Sequence, residues 1–163
     1  MAETRPKPKL QKEAVPMPKQ KPEVRRHNFG EVAEGYSKEQ ALAEANRCLQ
    51  CPKPKCITGC PVEVEIPSFI KFIREGNYDA GVKKVKEKNS LPAVCGRVCP
   101  QEEQCQKQCV VGKAGDPISI GRLERFVADW ERQNGTDPPK KPAPTGTKVA
   151  IIRARTAGDP PAA

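Results

Sequence analysis

CLQCPKPKCITGCP, residues 48–61, places four cysteines in fourteen positions and follows the last of them with a proline. The spacing is C-x2-C-x4-C-x3-C-P, over Cys48, Cys51, Cys56 and Cys60. A second run, Cys95, Cys99, Cys105 and Cys109, reads C-x3-C-x5-C-x3-C, has Pro100 after its second cysteine, and opens 35 residues beyond Cys60. Eight cysteines can be disulfides or metal ligands, and the redox compartment decides between them. Behind Met1 the chain reads AETRPKPKLQKEAVPMPKQKPEVRRH, basic and proline-rich, without the apolar stretch of a secretory signal. No apolar run is long enough to span a bilayer. The expected compartment is the cytoplasm, where thiols stay reduced, so the cysteine count reads as metal ligation.

The spacing also bears on which metal. Structural zinc takes paired C-x2-C knuckles or mixes in histidine, whereas this chain has one C-x2-C, and its single histidine, His27, lies far from both runs. Three close cysteines and a fourth before proline is the habit of four-iron clusters. In two-cluster ferredoxins that fourth cysteine crosses to the other cluster. By that rule Cys48, Cys51 and Cys56 share one cluster with Cys109, while Cys60 joins Cys99 and Cys105 at the other. One corner stays open. Cys95 is the simple choice by spacing, since thiolate is the standard ligand; Glu124, on a helix after the second run, is the other.

Around the two runs the 163-residue chain reads as one small domain with tails. Aromatics are only 4% and prolines number 18, so the apolar core is thin and needs a staple. Residues 1–27 carry eight Lys or Arg, three Glu and five Pro, and are expected to form a disordered basic arm. The net charge of +9 is compatible with nucleic acid, but the basic residues of the arm alternate with Pro and Glu and no aromatic is there to stack a base. A mainly α domain is expected over 28–135. Ser37 and Gln40 form a capping box before Ala41, Leu42, Ala45 and Leu49, in a helix that delivers Cys48. EIPSFIKFIREGN has Pro67 at a helix start, Phe69, Ile70 and Ile73 on one face and Gly76 at the stop. A shorter helix over YDAGVKKVKEKN turns Val82 and Val85 inward. From Ser119 a last helix sets Ile120, Leu123, Phe126, Val127 and Trp130 on one face and ends at Asn134-Gly135. Residues 136–147 read as a linker.

These segments closely resemble a known family. EGYSKEQALAEANRCLQC, CITGCPVEVEIPSFIKFIREGNYDAG and LPAVCGRVCPQEEQCQKQCVVGKAGDPISIGRLERFVADW are similar to the N-terminal iron–sulfur domain of NADPH-dependent glutamate synthase small-subunit-like proteins, over residues 24–132. The same domain resembles the N-terminal parts of dihydropyrimidine dehydrogenase and of the large subunit of NADH-dependent ferredoxin:NADP oxidoreductase. The resemblance implies a small helical, alpha-helical-ferredoxin-like domain with two [4Fe-4S] clusters that carries electrons between a flavin and a flavoprotein or ferredoxin-like partner. It also implies that the open corner goes to Glu124, with Cys95 a nearby structural thiol. The bland alternative for Glu124 is a surface carboxylate paired with Arg122 or Arg125.

The chain departs from the family after the linker. TKVAII, 147–152, looks like the first strand of an FAD-binding domain, but the G-x-G-x-x-G turn that should follow has Arg153 and Arg155 in place of its first two glycines, with Gly158 third. Residues 148–163 thus read as the remnant of a strand and a broken turn, with no FAD or NADPH site. The expectation is a truncated copy of a flavoenzyme subunit, or a retained relay domain, that is not catalytic alone, since no residue stands out as nucleophile or general base. Lys53, Lys55 and Arg97 put positive charge near the clusters. Two other readings stay open: a zinc-stapled basic interaction module, and a non-functional relic.

Overall fold

The computed structural model describes residues 11–135 together with 143 and 145–147. Residues 1–10, most of the linker, and the strand and turn read over 148–163 lie outside the described residues.

Local signals account for most of the helices. After the single turn α1 (Pro22–Arg25), α2 (Lys38–Asn46) opens at Ser37, whose Oγ accepts from the Gln40 N–H at 3.2 Å while the Gln40 side chain accepts from the Ser37 N–H at 2.9 Å. This reciprocal pair satisfies two donors at the helix end. A single turn, α3 (Lys55–Thr58), lies inside the first cysteine run. Then α4 (Ile66–Arg74), with Pro67 in its first turn, and α5 (Tyr78–Lys86) form a tight hairpin. Gly76 makes the reversal at φ 72°, and the Asn77 side chain starts the second helix by accepting from the Ala80 N–H at 3.1 Å. Next come α6 (Pro92–Val98), a 3-10 turn (Val110–Lys113) and α7 (Ile120–Asn134), which stops where Gly135 takes φ 94°. Among the described residues no strand forms beyond an isolated antiparallel bridge between Lys19 and Ala33.

The helices pack α2 on α4, α4 on α5, α5 on α7 and α6 on α7. Ala41 and Ala45, Phe69, Ile70 and Ile73, Val82 and Val85, and Leu123 and Val127 fill the space between them. Each large side chain so buried contributes about 1.5–3 kcal/mol. Tyr78 meets Phe126 edge-on at 5.1 Å between centroids and Trp130 at 5.8 Å, closing the far end of α7 against α5.

Three expectations need correction. Composition predicts a disordered arm over 1–27, but residues 11–20 lie against the domain: Val15 is buried, its carbonyl accepts from the Tyr36 hydroxyl, and the Gln20 N–H donates to Val32 O at 2.8 Å. Helical spacing places Leu42 and Leu49 with the inward alanines, but α2 ends at Asn46 and both leucines are exposed. The inner face of α2 is instead Ala41, Glu44 and Ala45. The cysteine spacing gives no helix at the second run, but α6 opens at Pro92, a helix-start signal, and carries Cys95.

Glu44 and Arg47 explain why the N-terminal segment is ordered. They form a buried ion pair at 2.6 Å, with Glu44 0% and Arg47 2% exposed. Glu44 also accepts from the Val15 and Ser119 N–H groups, each at 2.8 Å. The Arg47 guanidinium has five N–H donors. One goes to Glu44, and the others reach the carbonyls of Gln11, Lys12, Asp116 and Pro117. Removing one member leaves the other charged and buried, so Glu44→Ala is expected to cost about 3–5 kcal/mol. The anaerobic denaturant midpoint measures this, and a change below about 1 kcal/mol would mean that Arg47 finds water.

Candidate metal centre

Most of the cysteines sit at helix ends or in the turns between helices. Cys48 directly follows Arg47, the C-cap of α2. Cys56 lies in α3, Cys95 in α6, Cys99 caps the C-terminus of α6, and Cys109 precedes the 3-10 turn. All eight are unbridged thiols, seven half-buried and Cys105 buried.

The fold draws them into two groups, each with members from both runs. Cys48, Cys51, Cys56 and Cys109 line one cavity, walled by Ile66, Ile70, Ile118 and Ile120. Burial raises the Cys48 thiol pKa, and neighbouring Cys109 and Cys51 raise it further. Cys56 is pushed up to about 12, first by burial and then by Cys48, Cys109 and Cys51 beside it. In the other group Cys99 is pushed up to about 11 by burial and then by Cys95, with Glu124 and Cys60 adding to the effect. Cys105 is pushed up to about 12 by burial, then by Cys60 and Glu124. Without a cation these thiols hold their protons; a soft metal displaces them.

Glu124 departs from the surface ion pair that was the alternative for it. It is 8% exposed, and burial lifts its carboxyl to about 7 against the opposing pull of a hydrogen bond from Asn89 Nδ2 at 2.7 Å. Arg122 instead donates to Val15 O and to the Tyr36 hydroxyl, and Arg125 to Ala33 O and Asp129. Arg97 is also committed: it pairs with Glu31 at 2.7 Å and Asp129 at 2.8 Å, so its charge is balanced beside the second group. Lys53 and Lys55 are exposed next to the first.

Two glycines allow the close approaches that build the groups. At Gly96 a Cβ would stand 2.7 Å from the Arg125 backbone nitrogen, so α6 and α7 can cross closely enough to bring Cys95 and Cys99 near Glu124. At Gly59 a Cβ would stand 2.9 Å from Gln104 O and 3.2 Å from Cys105 Cα, so this position holds the first cysteine run against the second.

Residues that spacing did not reveal surround the thiols. Gln50, at φ 51°, donates from its side chain to Cys48 Sγ at 3.4 Å and from its backbone N–H to the same sulfur. Gln101 lies over Gly121, where its amide occupies the space of a side chain, and donates to Cys95 O at 3.4 Å. Gln50 and Gln101, each between two cysteines of a run, could have been suspected; Asn89 has no local signal. Among the described residues no three His, Cys, Asp or Glu side chains converge as a single metal ion requires. A tetrahedral zinc site holds its thiolates about 3.8 Å apart, whereas a cubane takes one thiolate on each iron and spaces them more widely.

Residues 25–136 match the family described as dihydropyrimidine dehydrogenase domain II, 4Fe-4S cluster. The chain belongs to this 4Fe-4S family. Among its relatives, the glutamate synthase [NADPH] small chain of Escherichia coli K12 is 39% identical over 145 residues, 88% of this chain and 31% of the relative. The NAD-dependent dihydropyrimidine dehydrogenase subunit PreT of the same organism is 40% identical over 128 residues, 78% of this chain and 31% of that one. The glutamate synthase [NADPH] small chain of Azospirillum brasilense is 34% identical over 145 residues, 87% of this chain and 30% of the relative. The chain thus spans under a third of the length of these relatives. The donor chemistry of this 4Fe-4S domain fits iron–sulfur binding, with thiols gathered from separate turns around an apolar cavity. Among the described residues no helix is long and apolar enough to cross a membrane.

Gly59→Ala tests the junction between the two runs. Gly59 has φ −80°, which alanine adopts freely, so any loss comes from the added Cβ against Gln104 and Cys105. The expected cost is about 1–3 kcal/mol in anaerobic denaturant unfolding, with less iron per chain. An unchanged midpoint would mean that the 104–108 turn yields.

Proposed function

We propose that the chain is a relay domain with two [4Fe-4S] clusters, passing single electrons between a flavin and a partner protein in an oxidoreductase of the glutamate synthase small-chain type. The observation that carries this reading is the gathering of cysteines from both runs into two groups, in a chain of a 4Fe-4S family. One cluster is held by Cys48, Cys51, Cys56 and Cys109. The other is held by Cys60, Cys99 and Cys105, with Glu124 rather than Cys95 at the last corner. Bound clusters of this type take up and give back one electron each, at a potential set by ligand identity, hydrogen bonds to sulfur and burial.

The remaining work falls to the chain. The isoleucine-walled cavity keeps water from the first group, and the two Gln50 donors offset charge on Cys48 Sγ. Exposed Lys53 and Lys55 beside that group suit a partner with an acidic surface. A flavoprotein or ferredoxin-like subunit is such a partner, and the names of the relatives as small chain and subunit support an assembly of more than one polypeptide. No FAD or NADPH site is assigned to the described residues, and the compartment is assigned to the cytoplasm.

Iron and acid-labile sulfide per chain, with the visible spectrum, test the reading on anaerobically purified protein. About eight irons and a brown colour are expected, as two cubanes require. Colourless protein with zinc would favour the interaction module, and no metal at all the relic. Cys56→Ser and Cys105→Ser, one from each group, are each expected to remove about half of the iron and to leave a different EPR signal when reduced. Identical residual signals would mean that the groups do not hold separate clusters.

A further inference from the structure

Asn89 touches both contenders for the eighth ligand. It is 8% exposed, in the turn between α5 and α6. The Leu91 N–H donates to its Oδ1 at 3.0 Å. A backbone N–H can only donate, so this contact fixes which end of the amide is oxygen. The other end follows: Nδ2 donates to Glu124 Oε1 at 2.7 Å. Cys95 Sγ lies 3.5 Å from the same Oδ1 and donates to it. A single side chain thus offers a proton to the carboxylate and accepts one from the thiol.

We propose that Asn89 is the positioning residue that selects Glu124 over Cys95 at the last corner of the second cluster. This rests on the reading of that group as a cluster site. With Oε1 held by the amide, Glu124 offers Oε2 to iron and its carboxylate is stabilised by a charge-assisted donor. Cys95, its Sγ directed at Oδ1, is held out of the coordination sphere. Loss of the amide reverses the preference: the iron–oxygen bond breaks, an iron–sulfur bond to Cys95 forms, and the thiol proton passes to the freed carboxylate. Neither net charge nor oxidation state changes in this exchange.

The test uses full-length protein purified without oxygen, treated with iodoacetamide before denaturation and read cysteine by cysteine by mass spectrometry. Alkylation is carried out at alkaline pH, because the thiolate is the nucleophile; in the unmodified sequence Cys95 is then alkylated and the other seven are protected. Asn89→Leu removes both contacts. Asn89→Asp keeps the shape and the acceptor for Leu91 but replaces the donor with a like charge, and so reads the donor's role even if Asn89→Leu does not fold. In the folded variants Cys95 alkylation is expected to fall about tenfold, as loss of one charge-assisted hydrogen bond would give, with iron retained and the EPR signal of the second cluster altered. Cys95 equally reactive in both proteins, with an unchanged signal, overturns the role of Asn89 and leaves Glu124 as ligand. Iron lost from the second group with Cys95 still reactive also overturns it, because Asn89 would then support Glu124 without selecting it. Cys95 protected in the unmodified sequence overturns the Glu124 reading itself.

Discussion

The buried pair Glu44–Arg47 is the contact on which the rest of this structure depends. Its carboxylate takes the backbone of Val15 and of Ser119, the N-cap of α7, while its guanidinium gathers carbonyls from residues 11–12 and 116–117. A buried ion pair is weak evidence for stability, since desolvation offsets most of the attraction. Its value here is positional. Cys48 is the next residue after Arg47, and the 116–117 turn leads from the 3-10 turn that follows Cys109 into the helix of Glu124. Segments far apart in the chain are thereby held in one register around the first group of thiols.

The division of labour between helices and turns follows from the same constraint. Helices α4, α5 and α7 supply apolar area, and six of the eight cysteines lie outside helices. Turns can deliver thiols from several directions, which a single helix face cannot do. The cost is that the turns have little apolar surface to fix them, so polar groups do the fixing. Gln50, Gln101 and Asn89 each hydrogen-bond to a cysteine, two through sulfur and one through a carbonyl.

Much of this was legible in the sequence wherever the signal was local. The capping box at Ser37, the face made by Phe69, Ile70 and Ile73, the stop at Gly76 and the long face of α7 all sit where their patterns put them. The 4Fe-4S family could be read from cysteine spacing together with the IGRLERF helix. What was not legible depends on distant partners. Residues 11–20 look like a solvated tail by composition, and partners far along the chain order them: Arg47 at Gln11 and Lys12, and Glu44, Tyr36 and Arg122 at Val15. Asn89 looks like an ordinary helix stop, and its contact with Glu124 spans 35 positions. Gly96 and Gly59 look like flexibility in sequence and prove to be points of close approach.

Each cysteine run contributes to both groups of thiols, and this has a consequence for synthesis on the ribosome. The group around the isoleucine-walled cavity lacks Cys109 until 61 residues after Cys48 have been made, and the other group lacks Glu124 until 64 residues after Cys60. At roughly 5–20 residues per second the earliest thiols wait about 3–13 s for their last partner. Throughout that interval they are exposed to oxidants and to competing metals, with no finished site to protect them. The first group is complete 15 residues before Glu124 is made, and a nascent polypeptide cut short before α7 holds all eight thiols without that carboxylate.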